Sequence, residues 1–265
     1  MIGFIGSGNM AQAMFGGMVK NGYPADKIMI ADKDEEKLTK NKQRFGVRTT
    51  QDIRKTAQCE IVVLAVKPFH FEQVIEEIRD VVTAETVIVS VAAGITLSQM
   101  FEWFGQELKI IRAMPNTPAL VGEGMSALVP GARVSQEELG QVRQIFDSFG
   151  KSEVVAESAL HGVIAVSGSS PAYVYLFIEA MADAAVKEGI AREQAYEMAS
   201  QSVLGAAKIV LETGQHPGAL KDAVCSPGGT TIEAVIQLEK SGFRQSVMSA
   251  MEACAEKSRQ MSGSQ

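Results

Sequence analysis

The stretch that decides the fold is Ile2-Gly3-Phe4-Ile5-Gly6-Ser7-Gly8-Asn9-Met10-Ala11, at the start of the chain. A short apolar run predicts a buried strand, and the apolar spacing after it predicts a helix over residues 10–21. Between the two, Gly6 permits a tight turn, Gly8 lets the backbone approach a pyrophosphate, and Ala11 keeps the helix close to the strand. A helix N-terminus also attracts phosphate. This strand–loop–helix unit favours dinucleotide binding over an ordinary turn that uses glycine for geometry alone.

Strand and helix patterns continue to alternate up to about residue 155. Such alternation requires right-handed crossovers and predicts an α/β fold, with a Rossmann-type doubly wound parallel sheet. Asp34 and Ser135 stand where helix N-caps are expected. The predicted strands are 2–5, 27–31, 61–65, 87–91, 109–114, 125–129 and 153–155, and the predicted helices are 10–21, 35–45, 69–79, 97–104 and 136–149.

The second half of the chain carries helical patterns only, rich in Ala and Met. We therefore divide the chain into a dinucleotide-binding domain, 1–156, and an all-helical domain for substrate binding and dimerisation, 157–265. Small residues and Met suit helices that pack closely against a second subunit. The predicted helices are 157–166, 171–189, 192–213, 217–224, 231–241 and 243–261.

Composition excludes several classes of protein. The 265 residues carry a net charge of −6, which offers no basic surface for nucleic acid or anionic lipid. Three cysteines are too few and too scattered for a disulfide framework or a zinc site, so no metal is expected. No apolar run is long enough to suggest a membrane span. We expect a soluble cytoplasmic protein.

Further cofactor contacts are expected where other predicted strands end, because ligands of open α/β sheets lie beyond the carboxyl ends of the strands. Small residues and a proline at these ends suit a flat nicotinamide ring, although Pro68 also suits the first turn of the next helix. The candidate cofactor-binding residues are Gly6, Ser7, Gly8, Asn9 and Met10 of the loop, then Ala65, Val66, Lys67, Pro68, Ala92, Ala93, Gly94 and Asn116.

The end of the second strand gives mixed indications of cofactor choice. Asp32 is expected to accept hydrogen bonds from the adenosine ribose, which favours NADH. Lys33, the next residue, is placed to hold the 2′-phosphate of NADPH. The two charges nearly offset each other, so the choice between NADPH and NADH depends on which side chain faces the ribose, and both residues are candidate cofactor contacts.

One small-residue turn in the helical half looks suited to a ligand. Ser226, Gly228, Gly229, Thr230 and Thr231 bring hydroxyl groups and backbone N–H groups together at a helix start, an arrangement that binds carboxylates. The alternative is that Thr231 only caps its helix. A second turn of this kind, 167–172, favours a substrate cradle.

These residues resemble the pyrroline-5-carboxylate reductase family. The resemblance covers nearly the whole chain and is carried by Gly6–Met10, Val66-Lys67-Pro68, Met114-Pro115-Asn116-Thr117-Pro118, residues 167–173, and His216-Pro217-Gly218. It is most specific in Ser226-Pro227-Gly228-Gly229-Thr230-Thr231. It implies reduction of L-1-pyrroline-5-carboxylate to L-proline by NADPH, with NADH also accepted, as the last step of proline biosynthesis. It also implies a homodimer with the substrate at the subunit interface; such dimers sometimes assemble further.

The resemblance also assigns residue roles. It implies that the Thr231 hydroxyl is the catalytic group at the substrate amine, and that Ser226, Gly229 and Thr230 line the carboxylate site. Glu157 matches a position beside the substrate in some members. Ala223 departs from the asparagine by which some relatives contact cofactor from the second subunit.

Other classes of function stay open from the residues alone. One is another Rossmann imine reductase or a β-hydroxyacid dehydrogenase, which would use a helical lysine such as Lys187 or Lys208. Another is a nucleotide-binding module without catalysis. His70, His161 and His216 lie outside the small-residue turns, and we expect surface or capping roles for them.

Overall fold

The computed structural model describes residues 1–263. Its first strand, β1 (Ile2–Ile5), lies inside a sheet of eight strands, ordered 3-2-1-4-5-6-7-8 by their number in the chain. The first six are parallel, and the last two run in the opposite direction because the sixth and seventh pair antiparallel. The remaining strands are β2 (Ile28–Ala31), β3 (Arg48–Thr50), β4 (Ile61–Leu64), β5 (Val87–Ser90), β6 (Lys109–Met114), β7 (Gly124–Pro130) and β8 (Gly150–Val154).

Helices cover both faces of this sheet. Because side chains alternate along a strand, Val63 faces one apolar layer and its neighbour Val62 faces the other. The first layer includes Phe4 and Phe15, whose rings meet edge to face at 5.6 Å. The doubly wound fold is therefore confirmed. The helices of this part are α1 (Asn9–Lys20), α2 (Glu35–Phe45), α3 (Ile53–Thr56), α4 (Phe71–Ile78), α5 (Leu97–Phe104), α6 (Gln136–Asp147) and α7 (Leu160–Val163).

Both predicted caps are present. Asp34 accepts a hydrogen bond from the backbone N–H of Lys37 at the start of α2. Ser135 and Glu138 form a reciprocal capping box at the start of α6. Both caps fix where the crossover helices begin.

Between α7 and residue 263 the structure contains helices and turns and no strand, which confirms the all-helical second half. Glycines in the left-handed conformation follow the helices that end at Thr213 and Lys240, namely Gly214 (φ 64°) and Gly242 (φ 75°). The helices are α8 (Ser170–Lys187), α9 (Arg192–Thr213), α10 (Pro217–Val224), α11 (Thr230–Lys240) and α12 (Phe243–Met261).

The sequence patterns missed two short elements, β3 and α3, and misjudged the segment 157–166. β3 is a three-residue edge strand, and its Arg-Thr-Thr sequence has no apolar alternation. The helix predicted at 157–166 is instead a 3₁₀ turn at Glu157–Ala159, then α7, then a π turn at Ile164–Gly168. The π turn forms because the N–H of Ser169 bonds the carbonyl of Ile164, five residues back, at 2.8 Å.

The chain forms two compact units. The first comprises Met1–Ser169 together with the described residues from Cys254 onward, and the second is Ser170–Ala253. This division differs from the boundary drawn after residue 156, since Leu160 packs with Ala127 and Val129 of β7. His161, which bonds the Ser258 hydroxyl at 2.9 Å, joins the end of α12 to the first unit.

One stretch, Glu157–Lys187, is long and apolar enough by composition to cross a membrane, with mean hydropathy 1.3 over its most apolar window. Only 6% of that window is buried within the chain. One such stretch is weak evidence for a membrane span, because a core helix of a soluble protein can have the same length and composition.

Candidate functional site

The main cleft of the first unit lies where the strand order reverses, between β1 and β4. This is where open α/β sheets bind ligands. The cleft has a volume of about 820 Å³, within the range of small-molecule and cofactor sites. It contains every cofactor-binding residue predicted from the sequence except Gly94 and Asn116: Gly6, Ser7, Gly8, Asn9, Met10, Asp32, Lys33, Ala65, Val66, Lys67, Pro68, Ala92 and Ala93.

The glycine loop has the geometry that a pyrophosphate requires. Gly6 has φ +97°, and a Cβ there would lie 2.7 Å from the carbonyl oxygen of Ala65. A Cβ on Gly8 would meet nothing within 4 Å, so open space lies against the backbone. Gly8 is also the N-cap of α1 and provides no side-chain cap, which leaves the helix start to a bound anion. The loop therefore fits a dinucleotide.

Asp32 lies in the cleft with its carboxylate already engaged. Oδ2 accepts hydrogen bonds from the Ser7 N–H at 2.8 Å and the Ser7 hydroxyl at 2.7 Å. Oδ1 accepts from the Asp34 N–H at 3.0 Å. Partial burial acts to raise the pKa of Asp32, but these hydrogen bonds and nearby Lys37 outweigh burial and hold the pKa below its usual value. Asp32 is therefore an anionic acceptor for the loop.

Asn116 is buried behind the cleft wall. Its Nδ2 donates to the carbonyl of Ser167 at 2.9 Å, and its Oδ1 accepts from the N–H of Met125 at 2.9 Å. Its neighbour Thr117 faces the cleft instead. Asn116 thus joins the loop after β6 to the π turn and to β7, and its contact with cofactor stays a prediction.

Several residues that line the cleft were not predicted from the sequence. Lys37 lies in the first turn of α2, next to Asp34, with Nζ–Oδ2 at 3.4 Å. The sequence contained a signal for Lys37, because it is a cation four residues after Lys33, at the start of the predicted helix 35–45. The other missed lining residues include Gln12, Ile53, His70, Gln73, Val74 and Thr117. His70 is exposed, as expected, but it also forms part of the cleft wall.

The turn proposed to hold a carboxylate belongs to the second unit. The N–H of Gly229 bonds the carbonyl of Ser226 at 3.0 Å, and Gly228 takes φ +69°. Gly229 is the N-cap of α11 and brings no capping side chain. Thr231 is therefore the second helical residue, half-buried, and the helix-cap alternative does not hold for it. The turn presents an uncapped helix start, with the hydroxyls of Ser226 and Thr230 exposed beside it.

Glu157, the other predicted substrate residue, belongs to the first unit. Its Oε1 accepts from the Leu97 N–H and from Arg112 Nη1, both at 2.9 Å.

His216 caps α10 by accepting from the Gly218 N–H at 3.0 Å, as expected of a capping histidine. Over residues 1–263 no group of three or more His, Cys, Asp or Glu side chains is arranged to hold a metal ion.

The reversed strand order, the glycine loop and the separate helical unit define a two-unit Rossmann protein that binds a dinucleotide. Residues 157–261 match the family model described as pyrroline-5-carboxylate reductase dimerisation. Residues 1–94 match the model described as NADP oxidoreductase, coenzyme F420-dependent.

Known proteins of the same length are similar to this chain from end to end. Pyrroline-5-carboxylate reductase from Escherichia coli K12 is 50% identical, over 99% of this chain and 98% of the relative. The reductase structure from Coxiella burnetii is 37% identical with a TM-score of 0.95, covering 98% of each chain. The Plasmodium falciparum structure with NADP bound is 32% identical with a TM-score of 0.86, covering 98% of this chain and 97% of that one. The chain belongs to the pyrroline-5-carboxylate reductase family.

Proposed function

We propose that this chain reduces L-1-pyrroline-5-carboxylate to L-proline, the last step of proline biosynthesis, with NADPH as the hydride donor. NADH is a second, accepted donor. The observation that carries the proposal is the uncapped turn 226–231, because a Rossmann module that only senses nucleotide has no need of a carboxylate-binding helix start. Family membership over nearly the whole chain supports the same activity.

The proposed reaction requires few catalytic groups from the protein. NADPH, when bound in the cleft, supplies the hydride. The backbone N–H groups that begin α11, with the hydroxyls of Ser226 and Thr230, hold the substrate carboxylate. The Thr231 hydroxyl bonds the ring nitrogen and orients it. The carbon–nitrogen double bond then takes up one hydride at carbon and one proton at nitrogen, giving the secondary amine.

The rival hydroxyacid chemistry finds less support. It needs a lysine held at the reacting group by the second unit. Lys208 is 67% exposed and lies 3.6 Å from Glu212 one turn along the same helix, and Lys187 is the last residue of α8. Both are typical of solvated helix surfaces.

We further propose that the active form is a homodimer. The helices of the second unit expose large apolar side chains. Their exposure to water is unfavourable, and a second copy of the chain would bury them. The apolar face of Glu157–Lys187 would then be covered by protein rather than by lipid, which agrees with a cytoplasmic enzyme whose three cysteines are free thiols. The exposed side chains include Tyr175, Leu176, Met198, Leu204, Leu211, Leu238 and Met248.

The experiment measures NADPH and NADH oxidation with pyrroline-5-carboxylate and, separately, NADP+ and NAD+ reduction with a panel of β-hydroxyacids. We expect the imine to oxidise NADPH and NADH, and we expect no turnover of the hydroxyacids. Turnover of a hydroxyacid without the imine would support the rival dehydrogenase, and tight cofactor binding without any turnover would support a nucleotide-binding module. Light scattering at low concentration tests the dimer, which a stable and active monomer would refute.

A further inference from the structure

Asp32 occupies the position where an acidic residue usually reads the adenosine ribose, yet its partners are protein groups. Three donors reach its carboxylate: the Ser7 N–H, the Ser7 hydroxyl and the Asp34 N–H, at 2.8, 2.7 and 3.0 Å. Ser7 lies 25 residues away in the chain and is fully buried. The contact therefore joins the end of β2 to the loop between β1 and α1.

Acceptor capacity limits what else this carboxylate can do. A carboxylate has about four acceptor positions, two on each oxygen. Oδ2 uses both of its positions on Ser7, and Oδ1 uses one on Asp34. One position remains, whereas holding the 2′- and 3′-hydroxyls together takes two. The usual two-point contact with a ribose is not available in this arrangement.

The loop is held from its other side as well. Gln12, one turn into α1, donates from Nε2 to the carbonyl of Ser7 at 3.0 Å. The N–H, hydroxyl and carbonyl of Ser7 are therefore all engaged. Because Ser7 directly precedes Gly8, fixing its peptide groups fixes the direction of the N–H groups that follow, which are those a pyrophosphate would meet.

Two cations lie at the same end of the cleft. Lys33 follows Asp32 directly, and Lys37 lies in the first turn of α2; both line the cleft. They can attract a 2′-phosphate while the carboxylate of Asp32 faces the loop. The negative charge of Asp32 therefore has a role other than selecting against NADPH, which is to accept the hydrogen bonds of Ser7.

We propose that Asp32 is a positioning residue that holds Ser7 and the phosphate-binding loop in place for both cofactors, and is not the residue that reads the ribose. This inference rests on the proposed function only in taking NADPH and NADH as the occupants of the cleft.

The experiment is a double-mutant cycle on cofactor binding. Dissociation constants for NADPH and NADH are measured by fluorescence titration for the full chain and for Ser7→Ala, Asp32→Asn and the double variant. Ser7→Ala is the matched variant, because it removes one donor to Asp32 and leaves every charge unchanged. Asparagine has one accepting oxygen, so it cannot serve Ser7 and Asp34 together.

We expect Ser7→Ala to weaken the binding of NADPH and of NADH by the same factor, about tenfold, the lower end of the scale of one hydrogen bond to a charged group. Asp32→Asn should weaken both cofactors, and Ser7→Ala should add little in that background, because the two residues act as one unit. Thermal melting of each variant shows whether weaker binding comes from a loosened loop in a folded chain or from loss of the fold.

Two results would overturn the inference. One is an Asp32→Asn variant that binds NADH at least tenfold more weakly but binds NADPH as well as or better than the parent. The other is full additivity of the two substitutions. Since binding is measured without substrate, an enzyme that fails to reduce the imine leaves this test intact.

Discussion

Arg112 and Glu157 form an ion pair inside the first unit, with Nη1 and Oε1 2.9 Å apart. The Arg112 side chain is only 5% exposed and that of Glu157 is 33% exposed. The same Oε1 accepts the N–H of Leu97, the first residue of α5. One carboxylate oxygen therefore connects β6, α5 and the turn at Glu157–Ala159.

This geometry predicts a large stability effect at Glu157. Glu157→Ala should lower the free energy of unfolding by about 3 kcal/mol, because it leaves the Arg112 charge buried without a partner. Glu157→Gln should lose less, since an amide oxygen still accepts both hydrogen bonds. Urea unfolding measures both, with the exposed Glu153→Ala as a control expected to change little. A raised KM for substrate with unchanged unfolding would contradict the structural role and leave only the substrate contact.

The two loop glycines should separate stability from cofactor binding. Gly6→Ala should destabilise the chain by at least 1–2 kcal/mol, about the cost of a left-handed residue, and more because the new Cβ meets the Ala65 carbonyl. Gly8→Ala should fold normally, since Gly8 has φ −69° and open space beside it. Its new methyl group would occupy the space of the pyrophosphate, so we expect at least tenfold weaker NADPH binding. Thermal melting and titration check both, and normal NADPH binding by Gly8→Ala would argue against the loop as the phosphate site.

Lys33 and Lys37 should affect NADPH alone. We expect Lys33→Ala and Lys37→Ala each to raise the KM for NADPH several-fold, the scale of one charge contact near the surface, while the KM for NADH stays nearly constant. Lys40→Ala is the matched control, because Lys40 lies one turn further along α2, outside the cleft, and pairs with Glu36. Equal effects on the two cofactors would place these lysines away from the 2′-phosphate.

Thr231 should affect turnover more than stability. If its hydroxyl bonds the ring nitrogen, Thr231→Ala should lower kcat by roughly tenfold to a few hundredfold, and Thr231→Ser should keep most activity. Because Gly229 is the N-cap of α11, the alanine variant loses no capping bond and should melt near the parent temperature. Full activity of the Thr231→Ala variant would show that the Thr231 hydroxyl takes no part in the reaction.

Local patterns predicted most of the fold. β1, β6, α2 and α5 have the bounds that periodicity indicated, because each is an apolar or amphipathic run ended by clear signals. β3 could not be found in this way, since a polar edge strand is specified by pairing with β2 rather than by its own composition.

Site residues were predictable where a motif fixes the backbone and less so where partners are distant in the chain. The glycine loop follows from residue type and order. The partners of Asn116 and Asp32 do not, because Ser167 is 51 residues from Asn116 and Ser7 is 25 residues from Asp32. Residue type and position predict cofactor contacts for both side chains, but they do not predict these protein partners.

The most direct test follows the transferred hydrogen itself. The full chain is incubated with pyrroline-5-carboxylate and NADPH deuterated at both C4 positions of the nicotinamide, and the product is examined by mass spectrometry and NMR. We expect L-proline with one deuterium on C5, the former imine carbon. Proline without deuterium, or bound NADPH that is never oxidised in the presence of the imine, would contradict it.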